Sequence, residues 1–110
     1  MSLIVKYILK QNSSNSTLMA YFTKQKTSFA VLVSSTEDQY EIIMTGGDGN
    51  GNFQYGEQCK LRYTDKGGSE RFIFDGWYNG KTGNLLYNGS SYTFTVTQDI
   101  EIEAWFVLMD

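Results

Sequence analysis

Residues 71–80, RFIFDGWYNG, constrain the fold more than any other part of the chain. Phe72 and Phe74 alternate with Arg71, Ile73 and Asp75, the period-two pattern of a strand with one face buried. Gly76-Trp77-Tyr78 then breaks the alternation. A glycine directly before Trp permits a β-bulge or a positive φ that a Cβ would resist, so the indole is expected to fold back over the sheet as a core plug. The grammar recurs downstream. Tyr92, Phe94 and Val96 alternate with Thr93, Thr95 and Thr97, and Ile100, Ile102, Ala104 and Phe106 alternate with Glu101, Glu103 and Trp105. No segment carries a helical stripe longer than one turn, and no proline interrupts a ladder. The chain therefore reads as all-β: a small, mostly antiparallel domain, β-grasp-related or sandwich-like, with about eight short strands and little or no helix.

At 110 residues the chain is one domain by size. Leu3, Val5, Tyr7 and Leu9 share one parity and predict a first strand, and residues 12–16 (NSSNS) predict a turn. Strands over 17–24 and 28–34, joined by Gln25-Lys26-Thr27, complete a three-strand meander. Further strands are expected over 40–45, 58–63 and 85–87. The glycine-rich residues 46–52 (GGDGNGN) are expected to form a flexible loop. Lys66-Gly67-Gly68-Ser69 is expected to turn a hairpin into the 71–80 strand, and Gln98-Asp99 to turn the final hairpin. If Ile100, Ile102, Ala104 and Phe106 face inward, Trp105 and Val107 share the opposite face with the glutamates. A Trp there needs a cover: N-terminal strands packed over it, or a neighbouring subunit for which it is an anchor.

The net charge of −3 hides an asymmetry: residues 1–36 carry +4 and residues 37–110 carry −7. Lys6, Lys10, Lys24 and Lys26 make up the positive end, which either forms solvated faces or offers a complementary surface to neighbouring copies. Nucleic acid is not expected as a partner, because a pI near 4.8 leaves too little positive field to hold a phosphate backbone. No apolar run is long enough for a membrane span. The N-terminal MSLIVKYILK lacks a basic region before its apolar part and a cleavage site after it, so an unexported chain, made in the cytoplasm, is expected.

Little in the sequence points to chemistry. Cys59 is the single cysteine and alternates with Leu61 and Tyr63, which predicts a small buried hydrophobe rather than a nucleophile; the chain has no histidine to activate it. Asp48-Gly49-Asn50-Gly51-Asn52 begins like a calcium loop, but Phe53 stands where that loop needs Gly and Cys59 where it needs Glu. The same glycines lack the Lys-Ser/Thr and the following helix of a phosphate loop. Glu101 and Glu103 share a face, expected to look at threonines across the final hairpin, as an ordinary solvated surface does. Three glycosylation-like triplets, beginning at Asn12, Asn15 and Asn88, carry no weight without export. No catalytic residue, metal or cofactor is expected.

From Tyr40 onward the order of motifs resembles a divergent internalin-type B-repeat, a small β module of bacterial surface proteins and some phage proteins. The resemblance covers residues 40–107 and rests on a Gly-rich loop, Tyr55-Gly56-Glu57 before Leu61, then Phe72, Phe74, Gly76, Trp77 and Tyr78. It ends with Tyr92-Thr93-Phe94-Thr95-Val96-Thr97, Asp99, and Ile100 through Phe106 with Ala104 inside. It divides the chain into residues 1–39, N-terminal strands that pack on the repeat or reach from it, and residues 40–110, the repeat-like module, together one compact unit. The resemblance implies a spacer or adhesive unit rather than a catalyst. The single repeat and missing export signal shift the expectation to a structural protein docking on a larger assembly, a phage virion, as a capsid-decorating or tail-associated component. The alternative is a cell-surface adhesin or glycan-binding module, with Trp77, Tyr78 and Tyr87 as candidate sugar-stacking rings.

Overall fold

A computed structural model describes residues 27–109. It is all-β, with eight strands: β1 (Ser28–Ser35), β2 (Tyr40–Thr45), β3 (Asn52–Gln54), β4 (Gln58–Asp65), β5 (Phe72–Asn79), β6 (Leu85–Tyr87), β7 (Tyr92–Thr95) and β8 (Ile100–Leu108). They form a five-stranded sheet in the order β3-β1-β8-β5-β6 and a three-stranded sheet in the order β2-β4-β7. Every pairing is antiparallel except that of β1 with β8, which runs parallel from Val31 opposite Ile100 to Ser35 opposite Ala104. The strands expected over residues 3–9 and 17–24 lie outside the described residues, as do Lys6, Lys10, Lys24 and Lys26.

Alternation sets what each sheet buries. From the five-stranded sheet come Val31, Phe53, Trp77, Ile102, Ala104 and Phe106; from the facing sheet and the residue after β7 come Cys59, Leu61 and Val96. Phe72, Phe74, Tyr92, Phe94 and Ile100 pack half-buried around them. Rings bridge the layers: Tyr40 of β2 stacks on Phe106 of β8 at 3.9 Å, and Tyr63 of β4 meets Phe74 at 4.7 Å and Phe106 edge-on at 5.0 Å. Each fully buried large side chain contributes about 1.5–3 kcal/mol of transfer free energy.

The turn at Gly76 works through parity. Phe74 lies opposite Phe106 and Gly76 opposite Trp105, so Asp75 is an extra residue and the register with β8 shifts there. That bulge reverses the alternation, and Trp77, which would otherwise point outward with Ile73, points inward opposite Ala104. Trp77 is 0% exposed, and its Nε1–H donates to the Gly89 carbonyl at 2.9 Å.

Four expectations need correction. Residues 66–69 do not turn a hairpin, because β4 and β5 belong to different sheets; the segment carries the chain across the sandwich. The same holds at Gln98-Asp99: β7 pairs with β4, while β8 pairs with β1 and β5. The glycine-rich loop is tied down rather than free. Both carboxylate oxygens of Asp48 accept hydrogen bonds, from the Asn50 and Asn52 N–H groups and the Asn52 side-chain amide, and the Gly51 carbonyl accepts from Val31 N–H at 2.8 Å. Finally, Asn52, expected to belong to that loop, opens β3 (Asn52–Gln54), a strand with no counterpart among the expected ones, which places Phe53 in the core. β1, grouped by sequence with the N-terminal segment, is an internal strand hydrogen-bonded between β3 and β8.

Candidate interaction face

The inner face of the five-stranded sheet is filled, so the side chains left over are those of its outer face. β8 contributes Glu101, Glu103, Trp105 and Val107. β1 adds Leu32 beside Glu101 and Ser34 beside Glu103, and β5 adds Ile73 beside Val107 and Tyr78 beside Glu103. The neighbours of the two glutamates are thus Leu32, Ser34 and Tyr78, not the threonines of β7, because β7 sits in the other sheet. Trp105 is half-buried; Ile73 and Val107 are each 49% exposed and Leu32 61%.

Trp105 and Tyr78 form the centre of this face. Their rings stack at 3.8 Å with planes 17° apart. The Trp105 Nε1–H donates to Glu103 Oε1 at 2.8 Å, and the Tyr78 hydroxyl donates to Asp75 Oδ2 at 2.7 Å. That hydrogen bond to Asp75 is the main cause that raises the Tyr78 phenol above its ordinary range. The polar handle of each ring is therefore satisfied within the chain, and the pair is held in one orientation.

Gly76 makes the stack possible. It lies directly opposite Trp105, and a Cβ there would come 2.8 Å from Leu85 Cδ1 and 3.3 Å from Tyr78 Cε1. Leu85 and the Tyr78 ring close over the bare backbone, the arrangement by which aromatic side chains cover a glycine in a sheet. Leu85, Tyr78, Trp105, Ile73 and Val107 together make an apolar strip beside the carboxylates of Asp75, Glu101 and Glu103. Parity in the sequence singles out Trp105 and Val107. Leu85 is missed, and Tyr78, singled out only as a candidate sugar-stacking ring, is not paired with Trp105 in the sequence, because its side depends on which residue of the expected bulge is the extra one.

The remaining candidates separate clearly. Phe72, Phe74, Gly76, Trp77, Tyr92, Phe94, Val96, Ile100, Ile102, Ala104 and Phe106 all lie in or against the core or the bulge that shapes it. Trp77 is buried and has no ring face to offer a sugar, whereas Tyr87 is 45% exposed and stacks on Tyr92 at 5.1 Å. Cys59 is 0% exposed, and burial pushes its thiol up to about 11. Tyr55-Gly56-Glu57 is a turn that ties the sheets together. Glu57 Oε1 accepts from Gln54 N–H, and the Gly56 N–H and Glu57 carbonyl bond to the main chain of Val96. Among the described residues no group of three Cys, Asp or Glu side chains is placed to hold a metal ion, and no helix is long and apolar enough to cross a membrane. No family model, curated protein or solved structure matches this chain.

Proposed function

We propose that the chain is a non-enzymatic interaction module that docks on a larger protein assembly through the outer face of its five-stranded sheet. The observation that carries this reading is the stacked Trp105–Tyr78 pair with Ile73, Val107 and Leu85 around it. A solvated sheet face carries Thr, Lys and Glu; a strip of five apolar side chains centred on a Trp has the composition of a contact surface. Because both rings are already fixed by hydrogen bonds to Glu103 and Asp75, docking on them costs little side-chain entropy. The state of Cys59, sealed and protonated at neutral pH, supports a non-enzymatic role.

The assembly in this proposal is a phage virion, with the chain as a decorating or tail-associated component. The resemblance of residues 40–107 to an internalin-type B-repeat, a module also of some phage proteins, supports it. Co-purification of the full chain with particles, combined with its size in solution, tests the reading. Particle-bound protein is expected. Ile73→Lys with Val107→Lys, each within roughly 0.5 kcal/mol of wild-type stability as exposed substitutions, is expected to release it. A chain that is never found with particles or a shell-forming partner overturns the proposal. A glycan-binding adhesin is the second reading; the Trp105–Tyr78 platform beside the carboxylates of Asp75, Glu101 and Glu103 favours it in place of Trp77. A sugar-dependent change in Trp105 fluorescence would support it, and a blank glycan array removes it.

A further inference from the structure

Three Asn-Gly dipeptides lie in the described chain, at Asn50-Gly51, Asn79-Gly80 and Asn88-Gly89. They differ in the features that govern imide formation: whether the asparagine side chain is held, whether the glycine N–H is free to attack it, how far the main chain between them is fixed, and what charge lies beside it. At Asn79 both are locked. Its Oδ1 accepts from the N–H groups of Lys81 at 2.8 Å and Thr82 at 3.0 Å, and the Gly80 N–H donates to the Glu101 carbonyl at 2.8 Å. At Asn50 the main chain is held instead. Its N–H donates to Asp48 Oδ1 at 2.7 Å, and Gly51 is buried with its carbonyl bonded to Val31. The adjacent Asp48 carboxylate also opposes the negative charge that develops on an attacking nitrogen. Asn88 is exposed, and neither its side chain nor the Gly89 N–H has a hydrogen-bond partner among the described residues.

We propose that Asn88-Gly89 is a site of spontaneous deamidation and isomerisation, placed so that the reaction loosens the anchor of the buried Trp77. The Gly89 nitrogen gives up its proton to solvent base and bonds to Cγ of Asn88. The bond from Cγ to the side-chain nitrogen breaks, and that nitrogen takes up a proton and leaves as ammonia, closing a cyclic succinimide. Water then adds to either imide carbonyl and the ring C–N bond at that carbonyl breaks, giving aspartate or isoaspartate at position 88. No oxidation or reduction is involved, and water is the only co-reactant.

The coupling runs through the neighbouring glycine. Isoaspartate routes the main chain through the side-chain carboxyl, one methylene longer, immediately before the Gly89 carbonyl that accepts the Trp77 Nε1–H at 2.9 Å. Trp77 is fully buried, so an acceptor that moves away leaves a donor with no water to replace it. This inference is independent of the docking proposal.

The test ages the full-length chain in mildly alkaline buffer and maps isoaspartate by peptide mass spectrometry, with the Trp77 indole N–H followed by NMR. Conversion is expected first at Asn88, more slowly at Asn50, and roughly a hundredfold more slowly at Asn79, where about three hydrogen bonds must open at several-fold each. The indole resonance is expected to shift, and its hydrogen exchange to quicken, in step with isoaspartate at position 88. Asn88→Gln is expected to prevent both changes, and Asn88→Asp, measured fresh, to add the charge without moving the indole signal. Conversion of Asn79 at the rate of Asn88, or an intact Asn88 beside a converted Asn50, overturns the site. Isoaspartate at position 88 with an unmoved Trp77 signal overturns the coupling.

Discussion

Tyr40 and Phe106 lie face to face, ring centroids 3.9 Å apart and planes 4° from parallel, joining the three-stranded sheet to the five-stranded one. Each stands at an inward position of its strand, and Tyr63 meets both rings edge-on.

Truncating that contact from the two sides should be unequal and coupled. Phe106→Ala is expected to cost about 3–5 kcal/mol, as a buried ring removed from a close-packed core. Tyr40→Ala, at a half-buried position, should cost less. A double-mutant cycle read from urea midpoints should return a coupling of about 0.5–1.5 kcal/mol. Additive losses would mean that the ring pair contributes nothing beyond the area it buries.

Gly76→Ala places a methyl 2.8 Å from Leu85 Cδ1 and 3.2 Å from the Tyr87 carbonyl, on a backbone with φ of +152°. A loss of about 1–3 kcal/mol is expected, with the β5–β6 pairing most affected. Adding Leu85→Ala should recover only part of it, because the Tyr87 carbonyl and the φ remain. Full recovery in the double variant would place the whole cost in the Leu85 contact.

Stability should fall on the alkaline side. Burial raises the Cys59 thiol from an ordinary value of 9.0 to about 11, and burial is the leading cause that raises the phenols of Tyr40, Tyr63 and Tyr92. These groups are neutral when protonated, and the unfolded chain ionises first. The thiol's contribution is therefore complete below about pH 9 and is lost as pH rises from there through about 11, and that of the phenols is complete below 10.0 and is lost as pH rises through their raised values. Urea midpoints measured across this range should decline, and Cys59→Ala should flatten the part due to the thiol. The native thiol should also resist a thiol reagent until denaturant is added.

At the acid end the group to watch is Asp48. Hydrogen bonds from the Asn50 N–H, the Asn52 side chain and the Asn52 N–H hold its carboxyl below the ordinary value of 3.8. A depressed folded pKa means that the contribution is present above 3.8 and disappears as pH drops through the lower folded value. Asp48→Asn is expected to reduce the steepness of acid unfolding and to speed hydrogen exchange at Asn50 and Asn52. Unchanged exchange at those amides would mean that the loop holds its shape without the carboxylate.

The buried rows of β4, β5 and β8 are legible in the sequence because a strand with one wet face cannot hide its period. The corner at Gly76 is legible too, since a glycine before a Trp in such a row has few other uses. Sheet membership is not. Gly67-Gly68 and Gln98-Asp99 mark where the chain changes direction, but turn chemistry says nothing about which edge the next strand joins, and in both places it crosses to the opposite layer. β3 escapes because one phenylalanine among three residues has no period to read. On the outer face Trp105 follows from parity alone, whereas its pairing with Tyr78 depends on which residue of the corner is the extra one, and a glycine before a Trp does not say that it is Asp75.

The parallel seam between β1 and β8 also dictates when this protein can be finished. The main-chain N–H of Ala30 donates to a carboxylate oxygen of Asp99, and that of Phe106 to the Thr36 hydroxyl, each bond spanning about seventy positions of sequence. A ribosome must therefore have made β8 before β1, already able to pair with β3, finds its parallel neighbour. Until then β1 waits with an open edge, so a nascent chain stalled short of position 100 should be handled by the cell as unfolded.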